Sequence, residues 1–245
     1  MTRVLITNDD GIDSPGLHEL ARIARDLGHD VVIAAPATQY SGASASILGA
    51  EEGGTVHRER RTVLGLEDLP AFAVAAAPGM IALIAAHGAF GPPPEIVLSG
   101  INRGANVGQV VLHSGTVGAA LTAAVNGARA LAVSLDVGLN PGQCHWDAAV
   151  VPVTTLLPRL AAAEPGTVFN VNLPNTEGPH ELREGPLASF GIVQTVMATD
   201  EADGVRLSVA DTPSDQAEGT DADLLRRGFA TVTSIASVAQ SGTAL

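Results

Sequence analysis

The stretch that decides the fold is residues 4–20, VLITNDDGIDSPGLHEL. Its first four residues are apolar or β-branched and predict a buried strand. The strand leads directly into two adjacent carboxylates, Asp9 and Asp10, which repel each other unless a positive charge lies close by. Because NDDG also has the composition of an Asx-type turn, a purely structural loop is the alternative interpretation of these residues.

A helix and a second strand follow this turn. Ser14 and Pro15 are typical of an N-cap and a first helical position, and apolar residues then recur at helical spacing up to Gly28. Residues 30–36, DVVIAAP, predict the next buried strand. A strand, a helix and a strand within the first 36 residues indicate the βα unit of a parallel sheet.

Strand and helix patterns alternate along most of the 245-residue chain. Beyond Pro174 the pattern changes, and residues 188–198 and 204–211 predict a two-stranded excursion rather than another βα unit. We therefore predict one domain with a C-terminal appendage. Further strands are predicted at 71–76, 94–100, 130–135 and 167–174, and further helices from about residue 78, at 115–128 and at 146–160.

Charge and composition restrict the possible functions. The net charge is -13, and all 13 basic residues are arginines. An acidic surface repels nucleic-acid phosphates, so no polynucleotide partner is expected. A sequence without lysine also excludes a Walker A loop and a Schiff-base lysine. Phosphate chemistry would need another positive charge, for which a metal ion held by carboxylates is the obvious source.

The sequence also gives an expectation about compartment. Cys144 is the only cysteine and cannot form an intramolecular disulfide, which fits a reducing environment. The chain starts in a strand without a basic and then apolar leader, and it contains no apolar run long enough to span a membrane. We expect a cytoplasmic protein with no membrane partner.

Three polar segments follow predicted strands, at the edge of a parallel sheet where ligands bind. They are residues 8–11, residues 35–46 (APATQYSGASAS) and residues 99–116 (SGINRGANVGQVVLHSGT), the last after a strand expected to end at Leu98. Hard divalent cations prefer oxygen ligands and keep positions open for water and phosphate. The candidate ligands are the carboxylates Asp9 and Asp10 and the neutral oxygens of Ser41 and Asn102.

A phosphate would also need hydrogen-bond donors. Ser114, Gly115 and Thr116 stand at a predicted helix start, where free N–H groups and the helix dipole favour an anion. Asn106 is placed to reach the same anion. An ordinary Ser/Thr N-cap and a loop asparagine are the structural alternatives for these residues.

Four of these segments together resemble the SurE survival-protein family of metal-dependent 5'/3'-nucleotidases. They are LITNDDGIDSPGLHEL, AP...SGASASI, IVLSGINRGANVG and SGTVGAAL, in that order, and the later NVNLP, GTD and GFATVTSI resemble its C-terminal half. The resemblance implies an α/β fold with a Rossmann-like three-layer core and a mostly parallel sheet over about 1–175. It further implies a β-hairpin excursion and a C-terminal arm over about 176–245, both used in a homodimer or homotetramer.

The resemblance also implies an activity and a site. The activity is hydrolysis of nucleoside 5'- or 3'-monophosphates with one divalent ion, magnesium or manganese. The implied metal ligands are Asp9, Asp10, Ser41 and Asn102. The implied phosphate contacts are Asn106, Ser114, Gly115 and Thr116, and the expected catalytic residues are Asp9, Asp10, Asn106, Ser114 and Thr116. We add Asn8 and His113 as candidate phosphate contacts. His113 could protonate a leaving group, and a structural loop histidine is the alternative.

The sequence departs from the family around the expected metal ligands. The altered positions are Ala37, Tyr40, the AAPGMI segment at 76–81, Gln109, Val110 and His113. Such changes leave open a phosphatase retuned to another small phosphate ester, or a phosphate-binding protein without turnover. A haloacid-dehalogenase mechanism is disfavoured, because Asn8 stands where its aspartate nucleophile would be and cannot form an aspartyl phosphate.

Overall fold

The computed structural model describes residues 1–49, 51–138, 142–191, 193–201, 204–211 and 217–239. Two 3-10 helices, Gly108–His113 and Trp146–Ala149, accompany the regular elements. The helices are α1 (Pro15–Asp26), α2 (Pro78–Ala86), α3 (Gly115–Val125), α4 (Val150–Ala162) and α5 (Asp221–Arg226). The strands are β1 (Arg3–Thr7), β2 (Asp30–Pro36), β3 (Glu51–Glu52), β4 (Thr55–Val56), β5 (Arg58–Arg61), β6 (Ala71–Val74), β7 (Ile96–Arg103), β8 (Arg129–Asp136), β9 (Val168–Pro174), β10 (Leu182–Glu184), β11 (Val193–Glu201), β12 (Gly204–Asp211) and β13 (Ala230–Ile235).

One sheet of nine strands organises the molecule, in the order β10-β13-β9-β8-β7-β1-β2-β6-β5. Its neighbours pair in parallel except at β9–β13 and β5–β6, which are antiparallel. The predicted α/β class with a mostly parallel sheet is therefore confirmed. Strands β11 and β12 form a separate antiparallel hairpin, as predicted for the excursion.

Helices cover both faces of the sheet, because side chains alternate along each buried strand. In β1, Val4 and Ile6 pack with α1 and α4, whereas Leu5 packs with α2 and α3. The result is the predicted three-layer arrangement. In the described ranges, no helix combines the length and the apolar character that a membrane span requires.

The polar loops converge where the chain changes direction across the sheet. Strand β1 lies between β7 and β2. After β1 the chain enters α1 on one face, and after β7 it enters α3 on the opposite face. This divergence opens a crevice beyond the carboxyl ends of β1 and β7, which is where open α/β sheets bind ligands.

The prediction that the strand before the third polar segment ends at Leu98 was wrong, because β7 continues to Arg103. The pairing register with β8 shifts between Ser99 and Asn102. Glycine makes this shift possible: Gly100 has a φ of 137°, and a Cβ there would lie 2.2 Å from the carbonyl oxygen of Val133. The glycines and polar residues of SGINRG are typical of a loop. In the structure they belong to an irregular part of the strand, where the pairing register shifts.

The C-terminal region contributes strands and a helix to the folded core. Strands β10 and β13 join the nine-stranded sheet, and α5 contributes to a small core with Val107 and Ala188. The alternating residues of β13, ATVTSI, are buried on both faces for most of its length. The sheet therefore extends past the boundary expected near residue 175, while residues 240–245 lie outside the described ranges.

Replacing Gly100 by alanine should destabilise the fold strongly. The added Cβ meets the main chain of β8, and the left-handed φ is unfavourable for alanine, so we expect the free energy of unfolding to fall by roughly 2–5 kcal/mol. Denaturant unfolding measures the change. Gly142→Ala is the matched control, because a Cβ at Gly142 would meet no described atom within 4 Å. Equal stability of both variants and wild type would contradict this account of β7.

Candidate active site

The loop after β1 is closed by the side chain of Asn8. Its Nδ2 donates to the carbonyl oxygen of Gly11, and its Oδ1 accepts from the Gly11 N–H, both at 3.1 Å. Gly11 has a φ of 104°, which glycine adopts readily. The Asx-type interpretation is thus correct for Asn8, and the turn it closes presents Asp9 and Asp10. The contact between Asn8 and a phosphate stays a prediction.

Asp9 is a nearly buried carboxylate, with only 5% of its surface exposed. Its Oδ1 accepts a hydrogen bond of 2.5 Å from Thr116 Oγ1, in the first turn of α3. Gly115 is essential for this approach, because a Cβ there would lie 2.7 Å from Asp9 Oδ2. Burial raises the pKa of Asp9 to about 6, helped by the charge of Asp10 and opposed by the Thr116 hydrogen bond.

Asp10 lies at the same edge, and it connects β1 to the end of β7. Its Oδ2 accepts a 3.1 Å hydrogen bond from the main-chain N–H of Arg103. Burial raises the pKa of Asp10, against the effect of that hydrogen bond and of the Arg103 charge. Two neighbouring carboxylates with raised pKa values form a site whose negative charge would be stabilised by a cation.

The segment carrying Ser41 is fixed to the same loop. The Tyr40 N–H donates to the carbonyl oxygen of Asp9 at 2.8 Å, so the substitution at position 40 retains a main-chain contact. Ser41 is exposed, and its Oγ accepts a 2.8 Å hydrogen bond from Gln39 Nε2. The sequence did not single out Gln39, whose amide orients this candidate ligand.

Asn102 completes the predicted ligand set from the end of β7. Its Nδ2 donates to the Gly104 carbonyl oxygen at 2.7 Å, so the side-chain oxygen is the candidate ligand atom. The described residues contain no group of three or more His, Cys, Asp or Glu side chains suited to a metal. A metal must therefore use neutral oxygens beside Asp9 and Asp10, and Ser41 and Asn102 are of that type. This donor set fits a hard divalent ion that keeps several water molecules.

The start of α3 faces this site with two buried hydroxyl groups. Ser114 is the N-cap residue, and its Oγ accepts from the Val117 N–H at 3.1 Å, which leaves its own hydrogen available for donation. Thr116 is fully buried and already donates to Asp9. His113 is exposed at the end of the preceding 3-10 helix. The structure therefore separates the two hydroxyls, one free to donate to an anion and one orienting a carboxylate.

Asn106 is held by a group of polar side chains that the sequence analysis missed. Its main-chain N–H donates to Asn172 Oδ1 at 2.7 Å, and its carbonyl oxygen accepts from the Nδ2 atoms of Asn170 and Asn172. Its own Nδ2 donates to Ser134 Oγ at 2.8 Å. The signal was present in VFNVNLP, where two asparagines at alternate positions of a buried strand must share one face. Its side chain thus points at Ser134, and its predicted contact with phosphate stays a prediction.

Asp221, in the GTD segment, fixes the far end of the same loop. This fully buried carboxylate accepts hydrogen bonds from the main-chain N–H groups of Gly108, Ala188 and Ala222, at 2.8 to 2.9 Å. Burial raises its pKa, and these bonds oppose the rise. A residue 113 positions away in sequence thus holds the beginning of the 3-10 helix that leads to Ser114.

The altered segment AAPGMI forms the junction between β6 and α2. Ala76 and Ala77 are fully buried, and the Ala77 N–H donates to the Leu48 carbonyl oxygen at 2.9 Å. A Cβ at Gly79 would lie 2.7 Å from the carbonyl oxygen of Ser46. These residues pack beneath the loop that follows Ser41, so their small size serves main-chain packing.

Comparisons with known proteins show which family the chain resembles. A sequence model described as Survival protein SurE matches residues 4–196. A Methanopyrus kandleri protein named 5'-nucleotidase SurE is 36% identical over 94% of this chain and 90% of its own length. A Rhizorhabdus wittichii protein of the same name is 37% identical over 94% of this chain and 92% of its own.

A solved structure extends the likeness to three dimensions. The crystal structure of the SurE protein from Aquifex aeolicus superposes with a TM-score of 0.73, covering 98% of this chain and 95% of that chain. At 22% sequence identity this match shows similarity of the fold alone. With the sequence matches across nearly the whole length, it leads to one conclusion: the chain belongs to the survival protein SurE family.

Proposed function

We propose that this protein is a divalent-metal-dependent phosphomonoesterase that hydrolyses nucleoside 5'- or 3'-monophosphates by attack of water on phosphorus. The observation that carries the proposal is the buried Asp9 carboxylate, which lies beside Asp10 and against the N-terminus of α3. A cation between these carboxylates and a phosphate would satisfy both charges. The relatives named 5'-nucleotidase SurE support the same reaction and substrate class.

The candidate site residues would have two roles, binding the metal ion and binding the phosphate. A bound magnesium or manganese ion would neutralise phosphate charge and orient the attacking water. Asp9, Asp10, Ser41 and Asn102 would hold that ion, and Thr116 keeps Asp9 in one orientation. Ser114 and the free N–H groups of α3 would bind the phosphoryl oxygens, whose charge increases in the transition state.

The alternatives left open by the sequence have less support. A retuned phosphatase was suggested by the AAPGMI segment, yet Ala76 and Ala77 are buried under a neighbouring loop. A binding protein without turnover would not require two desolvated carboxylates at a site with open coordination positions. The cytoplasmic location, the choice of metal and the role of His113 as a proton donor stay predictions.

Asp9→Asn and Asp10→Asn should each lower the rate of nucleoside monophosphate hydrolysis by several orders of magnitude. Each removes one of the two negative charges that would hold the metal, while the side-chain shape is kept. A steady-state assay with added Mg²⁺ or Mn²⁺, repeated in excess chelator, measures the effect. Full activity of the wild type in chelator, or a phosphorylated enzyme intermediate, would contradict the proposed mechanism.

A stability measurement separates loss of metal binding from misfolding. In chelator above pH 7, Asp9→Asn should unfold at a higher temperature than wild type, because it removes a buried charge. A gain of ~1 kcal/mol corresponds to roughly 2–4 °C for a domain of this size. The gain should shrink below pH 6, because a raised pKa means that Asp9 is then protonated in the folded wild type. Added Mn²⁺ should raise the melting temperature of wild type only.

The two hydroxyls at the start of α3 should behave differently. Ser114→Ala should lower kcat by about 10²–10³-fold, as when one donor to a developing anion is lost. Thr116→Val should lower activity by releasing Asp9, whereas Thr116→Ser keeps the donor and should retain most activity. If Ser114→Ala and Thr116→Val both kept the kcat of the wild type, these residues would serve only to cap and pack the helix.

We further propose that the protein is a homodimer or homotetramer. The hairpin β11–β12 forms a two-stranded sheet of its own, and two-stranded sheets are marginally stable in water unless another surface packs on them. A second copy of the chain is the partner that this arrangement favours. Light scattering at micromolar concentration should give a mass of two or four chains, and a stable monomer would refute the proposal.

A further inference from the structure

A pocket of about 260 Å³ opens directly beside the candidate metal ligand Asp10. This volume is a little below the range of roughly 300–1,000 Å³ that is usual for sites of drug-sized ligands, so it suits one ring system. The pocket shares Asp10 with the predicted metal site, whereas the predicted phosphate contacts Asn106, Ser114 and Thr116 are not among its lining residues. Its lining residues are Asp10, Ser14, Pro15, Gln39, Arg103 and Trp146.

Two hydrogen bonds connect the pocket to the metal ligands. Gln39, on one wall, donates to Ser41 Oγ at 2.8 Å. Arg103, on another, donates its main-chain N–H to Asp10 at 3.1 Å. A phosphate ester held at Asp10 and Ser41 would therefore place its organic group next to this pocket.

Trp146, the only tryptophan of the chain, has a fixed position in the pocket wall. The preceding residue, His145, donates its N–H to Asn175 Oδ1 at 2.8 Å, and Asn175 Nδ2 donates to the Gln143 carbonyl oxygen at 2.9 Å. The indole also packs closely on α1, because a Cβ at Gly16 would lie 2.9 Å from its Cζ3 atom. The ring is partly exposed and is held before any ligand arrives.

The chemistry of the walls selects among the groups that a phosphate ester could carry. A second phosphate would find one cationic side chain, Arg103, in the lining, and it has no surface to stack on the indole. A sugar offers the indole C–H groups but no π face to stack on it. A planar heterocycle would stack on the indole, and the amide of Gln39 and the guanidinium of Arg103 can hydrogen-bond to its edge.

We propose that this pocket, defined by Gln39, Arg103 and Trp146, binds the base of a nucleotide substrate by stacking on Trp146. The inference rests on the proposed nucleotidase function and adds the residue that recognises the base. Trp146 is then a specificity-determining residue. Its loss should weaken binding of substrates that carry a base and leave substrates without one unaffected.

The single tryptophan gives a readout that does not depend on catalysis. In excess chelator, where no turnover occurs, adenosine and adenosine 5'-monophosphate should quench the fluorescence of the wild-type protein in a saturable way. Ribose 5-phosphate and inorganic phosphate should not. Because this measurement uses the unmodified chain, it does not depend on whether any variant folds.

Steady-state kinetics supply the second readout. With Mg²⁺ or Mn²⁺, Trp146→Leu should raise the KM for adenosine 5'-monophosphate by ~5- to 150-fold, the range that loss of one stacked base produces. The KM for ribose 5-phosphate and the kcat for both substrates should change little. Trp146→Phe keeps a ring and should recover most of the affinity, and Val151→Ala, at a half-exposed position in α4, is the control.

The outcomes separate this inference from the proposed function. Two outcomes would overturn the base pocket without contradicting the proposed phosphatase activity. One is hydrolysis by the wild type with no fluorescence quenching by adenosine. The other is an equal change of KM for both substrates in Trp146→Leu. Absence of hydrolysis with any divalent metal would overturn the proposed function, whereas saturable quenching by adenosine would still uphold the pocket.

Discussion

The desolvated carboxylate of Asp9 is the constraint around which the site is built. A charge that is 5% exposed and next to Asp10 is unfavourable unless a cation or a proton compensates for it. Thr116 donates one short hydrogen bond, and the pKa of Asp9 still rises to about 6. Holding these two carboxylates next to each other therefore lowers the stability of the fold. Binding of a cation between them would offset that cost.

Close main-chain approaches hold the elements around Asp9. Glycine at 115 lets the first turn of α3 touch the carboxylate, and glycine at 118 lets the same helix contact the main chain of Ser44, where a Cβ would lie 2.2 Å from the carbonyl oxygen. Gly16 does the same for α1 against the carbonyl oxygen of Ile101. The closest contacts at Gly118 and Gly16 are with main-chain atoms, and the contact at Gly115 is with the Asp9 side chain. The positions of α1 and α3 are therefore set by packing that larger side chains would prevent.

The sequence predicts those parts of the structure that depend on local periodicity. The strands at 4–7 and 30–36 and the helix after Ser14 follow from apolar spacing and capping residues. The contact of Asp221 with Gly108 joins residues far apart in the chain, and no local pattern encodes it. The same holds for Asn172, whose amide needs the loop at Asn106 as a partner. The candidate ligands were found because they are polar residues after strands, whereas the residues that orient them belong to distant elements.

The side chains on the two sides of the crevice differ in burial, and this difference bears on how specificity arises. On the side of the predicted phosphate contacts the groups are buried, because Asn170 and Asn172 bind the main chain of Asn106 and Asp221 binds the N–H of Gly108. Any change there exposes unpaired polar atoms and costs stability as well as activity. The pocket beside Asp10 is formed by partly or fully exposed side chains, among them Arg103 and Trp146. Substitutions at those exposed positions would change which organic group the proposed base pocket accepts. They would leave the main chain around Asn106 and Ser114 undisturbed, so the substrate preference could change while the proposed reaction is kept.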